Sequence, residues 1–125
     1  MNLLLDTHTL IWALEDNPRL STASREAIVN PDNIVFVSAV SVWEISIKKA
    51  LGKLEAPDTL LEEIERIRFT PLEITLAHGD RAGKLPPIHP DPFDRMLIAQ
   101  AQSEQLTLVT RDLEIQKYQV QCLMA

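Results

Sequence analysis

The sequence predicts an α/β fold: a parallel sheet of four to five strands with helices on both faces. Three observations carry this. Short apolar runs without alternation, at residues 1–5, 34–37 and 106–110, read as strands buried on both sides. Stretches with helical apolar spacing lie between them. Caps and turn residues then separate strand from helix at short, regular intervals, as in chained strand–helix–strand units.

The elements follow in order. Leu3, Leu4 and Leu5 make the first strand. Residues 7–15 form a helix with Leu10, Ile11 and Leu14 on one face, stopped by Asn17-Pro18. Ser21 caps a helix that runs to about Val29 and closes at Asn30-Pro31. Residues 34–37 are the second strand. Ser38 or Ser41 caps a third helix, ended by Gly52. Pro57-Asp58 opens a fourth, through about Arg68. Residues 69–74 form a short third strand interrupted by Pro71, and Thr75 starts a short helix ending near Gly83. A proline-rich loop, 86–92, carries His89. Asp91 caps a long helix through about Gln105. Residues 106–110 and 120–123 are the fourth and fifth strands.

The length of 125 residues fits one domain, 1–125, with a real core. No apolar run reaches the roughly 20 residues of a membrane span. Met1-Asn2 offers no basic leader, and Asp6 breaks the first apolar stretch. The single cysteine, Cys122, cannot form an internal disulfide and fits a reducing cytoplasm. A net charge of −6 argues against holding nucleic acid by bulk electrostatics. It leaves a nuclease open, because clustered metal-binding acids add to that count and bound cations reverse the local sign.

Four acids stand where folding alone would not put them. Asp6 and Asp112 each follow an apolar strand, and Glu44 and Asp94 each interrupt an apolar helical stripe. Such charges are costly unless compensated. Four of them point to one compensator, a divalent cation where they converge, and hence to metal-assisted phosphodiester chemistry. Each acid also has a structural reading: a helix cap for Asp6 and Asp112, an i,i+4 pair with Lys48 for Glu44, and a helix-dipole contact for Asp94. Asp91 is first of all the cap of its helix, and also a candidate outer-sphere acid. Thr7 and Thr110 adjoin the acids and can orient them from behind.

Oxygen ligands select Mg²⁺ or Mn²⁺ over zinc, and His8, His78 and His89 lack zinc spacing. His8 is expected on a helix surface, and His89 as a plain loop residue, with contact to substrate from its place near the site as the alternative. Trp12 and Trp43 are expected in the core. Arg95, Arg111 and Lys48 are the candidate RNA contacts, by proximity alone; Arg95 and Lys48 equally suit neutralising the acids. No phosphate-binding glycine loop or serine elbow occurs. A receiver-type signalling module would require paired acids after the first strand and a late lysine, which are absent. A binding module with an inactive site is the other alternative.

These residues, in this order, resemble the PIN domain, particularly the VapC-type toxins of toxin–antitoxin pairs. LLLDTHTLIWAL is similar to the family's first strand and helix, with Asp6 as the first acid. SAVSVWEISIKKALGKL is similar to the segment of the second, Glu44. HPDPFDRMLIAQAQSEQLTLVTRD matches Asp94 to the third and Asp112 to the fourth. The resemblance implies a doubly wound α/β/α sandwich. It implies endoribonuclease activity with one or two Mg²⁺ or Mn²⁺ ions, on structured RNA such as tRNA. It also implies a homodimer silenced by a VapB-like antitoxin. The expected chemistry is attack by water, leaving a 5′-phosphate and a 3′-hydroxyl.

Overall fold

A computed structural model describes residues 1–125. Its centre is β1 (Asn2–Leu5), flanked by β2 (Ile34–Ser38) and β4 (Thr107–Thr110), with β3 (Thr70–Leu72) and β5 (Cys122–Met124) at the edges. All four pairings are parallel, in the order β3-β2-β1-β4-β5. The helices are α1 (Thr7–Glu15), α2 (Thr22–Val29), α3 (Ala39–Ala50), α4 (Leu60–Arg66), α5 (Leu76–Lys84) and α6 (Pro92–Glu104), with a 3-10 turn at Ile115–Lys117.

The strand period of two divides the interior into two cores. Leu3 and Leu5 of β1, Val35 and Val37 of β2, and Val109 of β4 face one side. There they meet Leu10 and Ile11 of α1, and Leu60 and Ile64 of α4. Leu4, Phe36 and Leu108 face the other side and meet Leu97, Ile98 and Ala101 of α6, with Ile115 and Tyr118. Helix α3 contributes to both, through Ile45 and Val40. The result is the expected three-layer α/β/α arrangement, doubly wound about β1.

The caps explain where helices begin. Asp6, Ser21, Ser38, Thr75 and Asp91 each accept a backbone N–H of the following first turn. Pro92 follows Asp91 at the position where its missing N–H is harmless. Asp16 and Gln105, both left-handed, end α1 and α6.

Several boundaries differ from the sequence expectation. Ser38 caps α3, while Ser41 is buried inside it. Helix α4 starts at Leu60, because exposed Asp58 pairs with Lys49 instead of capping. β3 is only three residues long; Pro71 is tolerated because the strand lies at the sheet edge. β5 starts two residues later than expected, since residues 118–120 form a bend in which the Val120 N–H donates to the Tyr118 carbonyl. Trp43 is not a core residue: it is 59% exposed. The buried stripe of α3 runs through Val40, Ser41, Glu44 and Ile45, and Trp43 lies to one side of it. Trp12 is half-buried against the first core. No helix is long and apolar enough to cross a membrane.

Leu4 is fully buried at the middle of the sheet. Leu4→Ala is expected to lower unfolding free energy by about 2–5 kcal/mol. Urea unfolding should show a lower midpoint with an unchanged slope.

Candidate metal centre

The doubly wound order places the strand reversal between β1 and β4, and a ligand-binding crevice is expected beyond the carboxyl ends of those strands. Asp6 directly follows β1, and Asp112 lies two residues beyond Thr110, the last residue of β4. Glu44 comes from the buried stripe of α3 and Asp94 from the first turn of α6. All four carboxylates, with Asp91, line one cleft of about 450 Å³. Its walls also carry Thr7, His8, Thr9, Trp12, Lys48, His89 and Arg111.

Each acid is held by donors from a neighbouring segment. Asp6 Oδ1 accepts the Thr9 N–H at 2.9 Å, so it caps α1 as well as facing the cleft. Its Oδ2 accepts the Thr110 hydroxyl at 2.6 Å. The same Thr110 oxygen accepts the Asp112 N–H at 3.1 Å, which joins two acids through one hydroxyl. Asp112 Oδ1 accepts the Glu114 N–H, fixing the start of the turn that follows. Thr7 donates to Glu44 Oε1 at 2.5 Å, and Lys48 pairs with Glu44 Oε2. The Glu44–Lys48 pair that offered a surface explanation for Glu44 therefore exists, yet Glu44 is only 4% exposed and lines the cleft. Asp91 Oδ1 accepts the N–H groups of Phe93 and Asp94, which sets the direction of α6.

The electrostatics show a deficit of positive charge. Burial, then the neighbouring Asp91 carboxylate, push the Asp94 carboxyl up to about 7, with Asp6 adding to the rise and His89 opposing it. Lys48 is held above its ordinary value, first by its hydrogen bond to Glu44. Lys48 serves Glu44; no lysine or arginine pairs with Asp6, Asp94 or Asp112. One ligand atom each from His89, Asp94 and Asp112 lie within 4.8 Å of one another. An oxygen-rich donor set with three acids lacking a lysine or arginine partner fits a hard divalent cation.

The other expected contacts divide. Arg111 lines the cleft, lies 4.7 Å over the Trp12 ring and donates to the Ala125 carbonyl. Arg95 does not line the cleft. Its guanidinium donates to the carbonyls of Ala82, Leu85, Pro86 and His89, which anchors the proline-rich loop to α6. Arg95 thus ties the loop to α6, away from the cleft wall. His8 is exposed, as expected. His89, expected as a plain loop residue or as a substrate contact near the site, instead points Nε2 at Asp94 Oδ2 from 2.8 Å and at Asp112 Oδ2 from 3.4 Å. Only the His-Pro-Asp-Pro run hinted at it, through a stiff loop of fixed reach before α6. A wider groove of about 950 Å³ lies between α5, α6 and the 3-10 turn. Its lysines are already paired, Lys84 with Asp80 and Lys117 with Glu114, and Asp80 is the one acid that lines it.

Known proteins share this fold. The model of the family described as PIN domain matches residues 3–120. The chain is 30% identical over 123 residues to Ribonuclease VapC22 of Mycobacterium tuberculosis, covering 92% of this chain and 90% of that one. Its fold is similar to that of VapBC2 from Rickettsia felis, solved bound to a promoter DNA fragment, with a TM-score of 0.73 at 15% identity. That match covers 98% of both chains. It is also similar to DNA-bound VapBC from Salmonella typhimurium (TM-score 0.69, 19% identity, 98% and 97% covered). A third is FitAcB from Neisseria gonorrhoeae (TM-score 0.64, 20% identity, 98% and 96% covered).

The raised Asp94 carboxyl makes the stability of the fold depend on pH. Its folded value near 7 lies above the ordinary carboxylate value, so the folded protein holds the extra proton in between. In EDTA, stability should therefore fall as pH rises from about 4 to about 7 and stay low above that. Asp94→Asn removes this loss and is expected to melt higher than the unsubstituted protein at pH 8 without metal, by an amount on the order of a few kcal/mol at most. Thermal melts across this pH range check it.

Proposed function

The chain belongs to the PIN domain family, and we propose that it is a divalent-metal-dependent endoribonuclease, the toxin of a VapBC-type toxin–antitoxin pair. The observation that carries this reading is the convergence of Asp6, Glu44, Asp94 and Asp112, from four separate segments, on one cleft at the carboxyl edge of the sheet. The similarity to a protein named as a ribonuclease supports the activity. Similarity to toxin–antitoxin complexes supports a VapB-like antitoxin partner and a homodimer. The cytoplasm, where such RNA and partner occur, is the proposed site of action.

The four carboxylates would hold Mg²⁺ or Mn²⁺, one ion or two. When bound, the cation supplies Lewis acidity at the phosphate and a more acidic water. The chain's own residues do the rest. Thr110 and Thr9 fix Asp6, and Thr7 and Lys48 fix Glu44, so these acids meet the substrate already oriented. Lys48 and Arg111 lie at the cleft wall, where they can meet backbone phosphates. Water attacks phosphorus in line, the P–O3′ bond breaks, and the departing 3′ oxygen takes a proton. The products are a 5′-phosphate and a 3′-hydroxyl, and the 2′-hydroxyl is not consumed. Structured RNA such as tRNA is the proposed substrate.

Asp6→Asn is expected to lower RNA cleavage in Mg²⁺ or Mn²⁺ by at least about 10²-fold while leaving the circular dichroism spectrum unchanged. End-group analysis should find 5′-phosphates. A 2′,3′-cyclic phosphate, or full activity in Asp6→Asn, would contradict the reading.

A further inference from the structure

The His89 imidazole occupies the gap between two of the proposed cation ligands. Nε2 is 2.8 Å from Asp94 Oδ2 and 3.4 Å from Asp112 Oδ2. The side chain is 12% exposed, and its Nδ1 is buried without a partner. With the proton on Nε2, the ring donates toward both carboxylates at once. With the proton on Nδ1, that N–H would be buried and unpaired, and Nε2 would donate to neither carboxylate. The first arrangement is the stable one. A histidine that ligates metal usually donates its second N–H to an acceptor, and His89 Nδ1 has none.

The loop is built to keep the ring there. The His89 N–H donates to the Tyr118 hydroxyl at 2.8 Å, and that hydroxyl donates to the Pro86 carbonyl. Arg95 holds the His89 carbonyl and the Pro86 carbonyl from the other side. The two acids have different supports: Asp94 sits on α6, whereas Asp112 lies in the segment between β4 and the 3-10 turn. Their like charges push the segment away from the helix.

We propose that His89 is a positioning residue, which ties the loop-borne Asp112 to the helix-borne Asp94 and so holds both carboxylates at the spacing a divalent cation needs. This rests on the metal-dependent reading above and adds to it the residue that organises half of the ligand set before the cation arrives.

The test is Mn²⁺ binding to the full chain without RNA, by isothermal titration and by electron spin echo measurements of nitrogen coupling. His89→Phe fills the space without a donor, and His89→Gln returns an N–H near the Nε2 position. His89→Phe is expected to weaken Mn²⁺ binding about 10-fold or more, and His89→Gln to recover most of it. The RNA cleavage rate should follow, with a higher Mn²⁺ requirement and a near-normal rate at saturating Mn²⁺. The unsubstituted protein should show no directly bonded nitrogen. Wild-type affinity in His89→Phe, failure of His89→Gln to recover affinity while its circular dichroism is native, or a directly coordinated nitrogen would each overturn the proposal. Mn²⁺ binding without RNA cleavage would instead defeat the nuclease reading and leave the positioning role intact. Absence of Mn²⁺ binding in the unsubstituted protein would defeat both.

Discussion

Mutually repelling carboxylates have to be held at one edge of a sheet, and much of the architecture around that edge serves this constraint. A buried carboxylate tolerates its position when donors surround it or a cation joins it. Here the donors come from side chains and backbone in α1 and β4, from Lys48 of α3 and from the loop before α6. They satisfy lone pairs of the acids, but among them only Lys48, on Glu44, is a lysine or arginine. Asp94, pushed up by burial and by Asp91, registers what is left uncompensated.

The same residues serve both fold and site. Asp6 caps α1 and lines the cleft. Thr110 ends β4 and bridges Asp6 to Asp112. Glu44 pairs with Lys48 and is buried among core positions. Structural and functional explanations of these acids are therefore not alternatives. An N-terminal cap leaves a carboxylate with lone pairs to spare, and a central strand end is where a parallel sheet presents its ligands.

Much of the fold was legible because it rests on local signals. Unbroken apolar runs marked β1, β2 and β4, and capping residues marked the starts of α1, α2, α5 and α6. The four acids were legible because each violated the burial pattern around it. What was not legible depended on contacts between distant segments. Trp43 fell at core spacing, but the buried stripe of α3 is set by where the helix lies across the sheet. Arg95 adjoined Asp94 in sequence, yet four loop carbonyls claim it. His89 acquires its position only when the proline-rich loop folds back over Tyr118.

The central claim is that Asp6, Glu44, Asp94 and Asp112 share a cation. Anomalous diffraction from crystals grown with Mn²⁺ tests it most directly. The expected result is a peak in the cleft with carboxylate oxygens of these residues at roughly 2.0–2.5 Å, directly or through one bound water. An empty cleft at saturating Mn²⁺, or a peak held elsewhere on the protein, would contradict it.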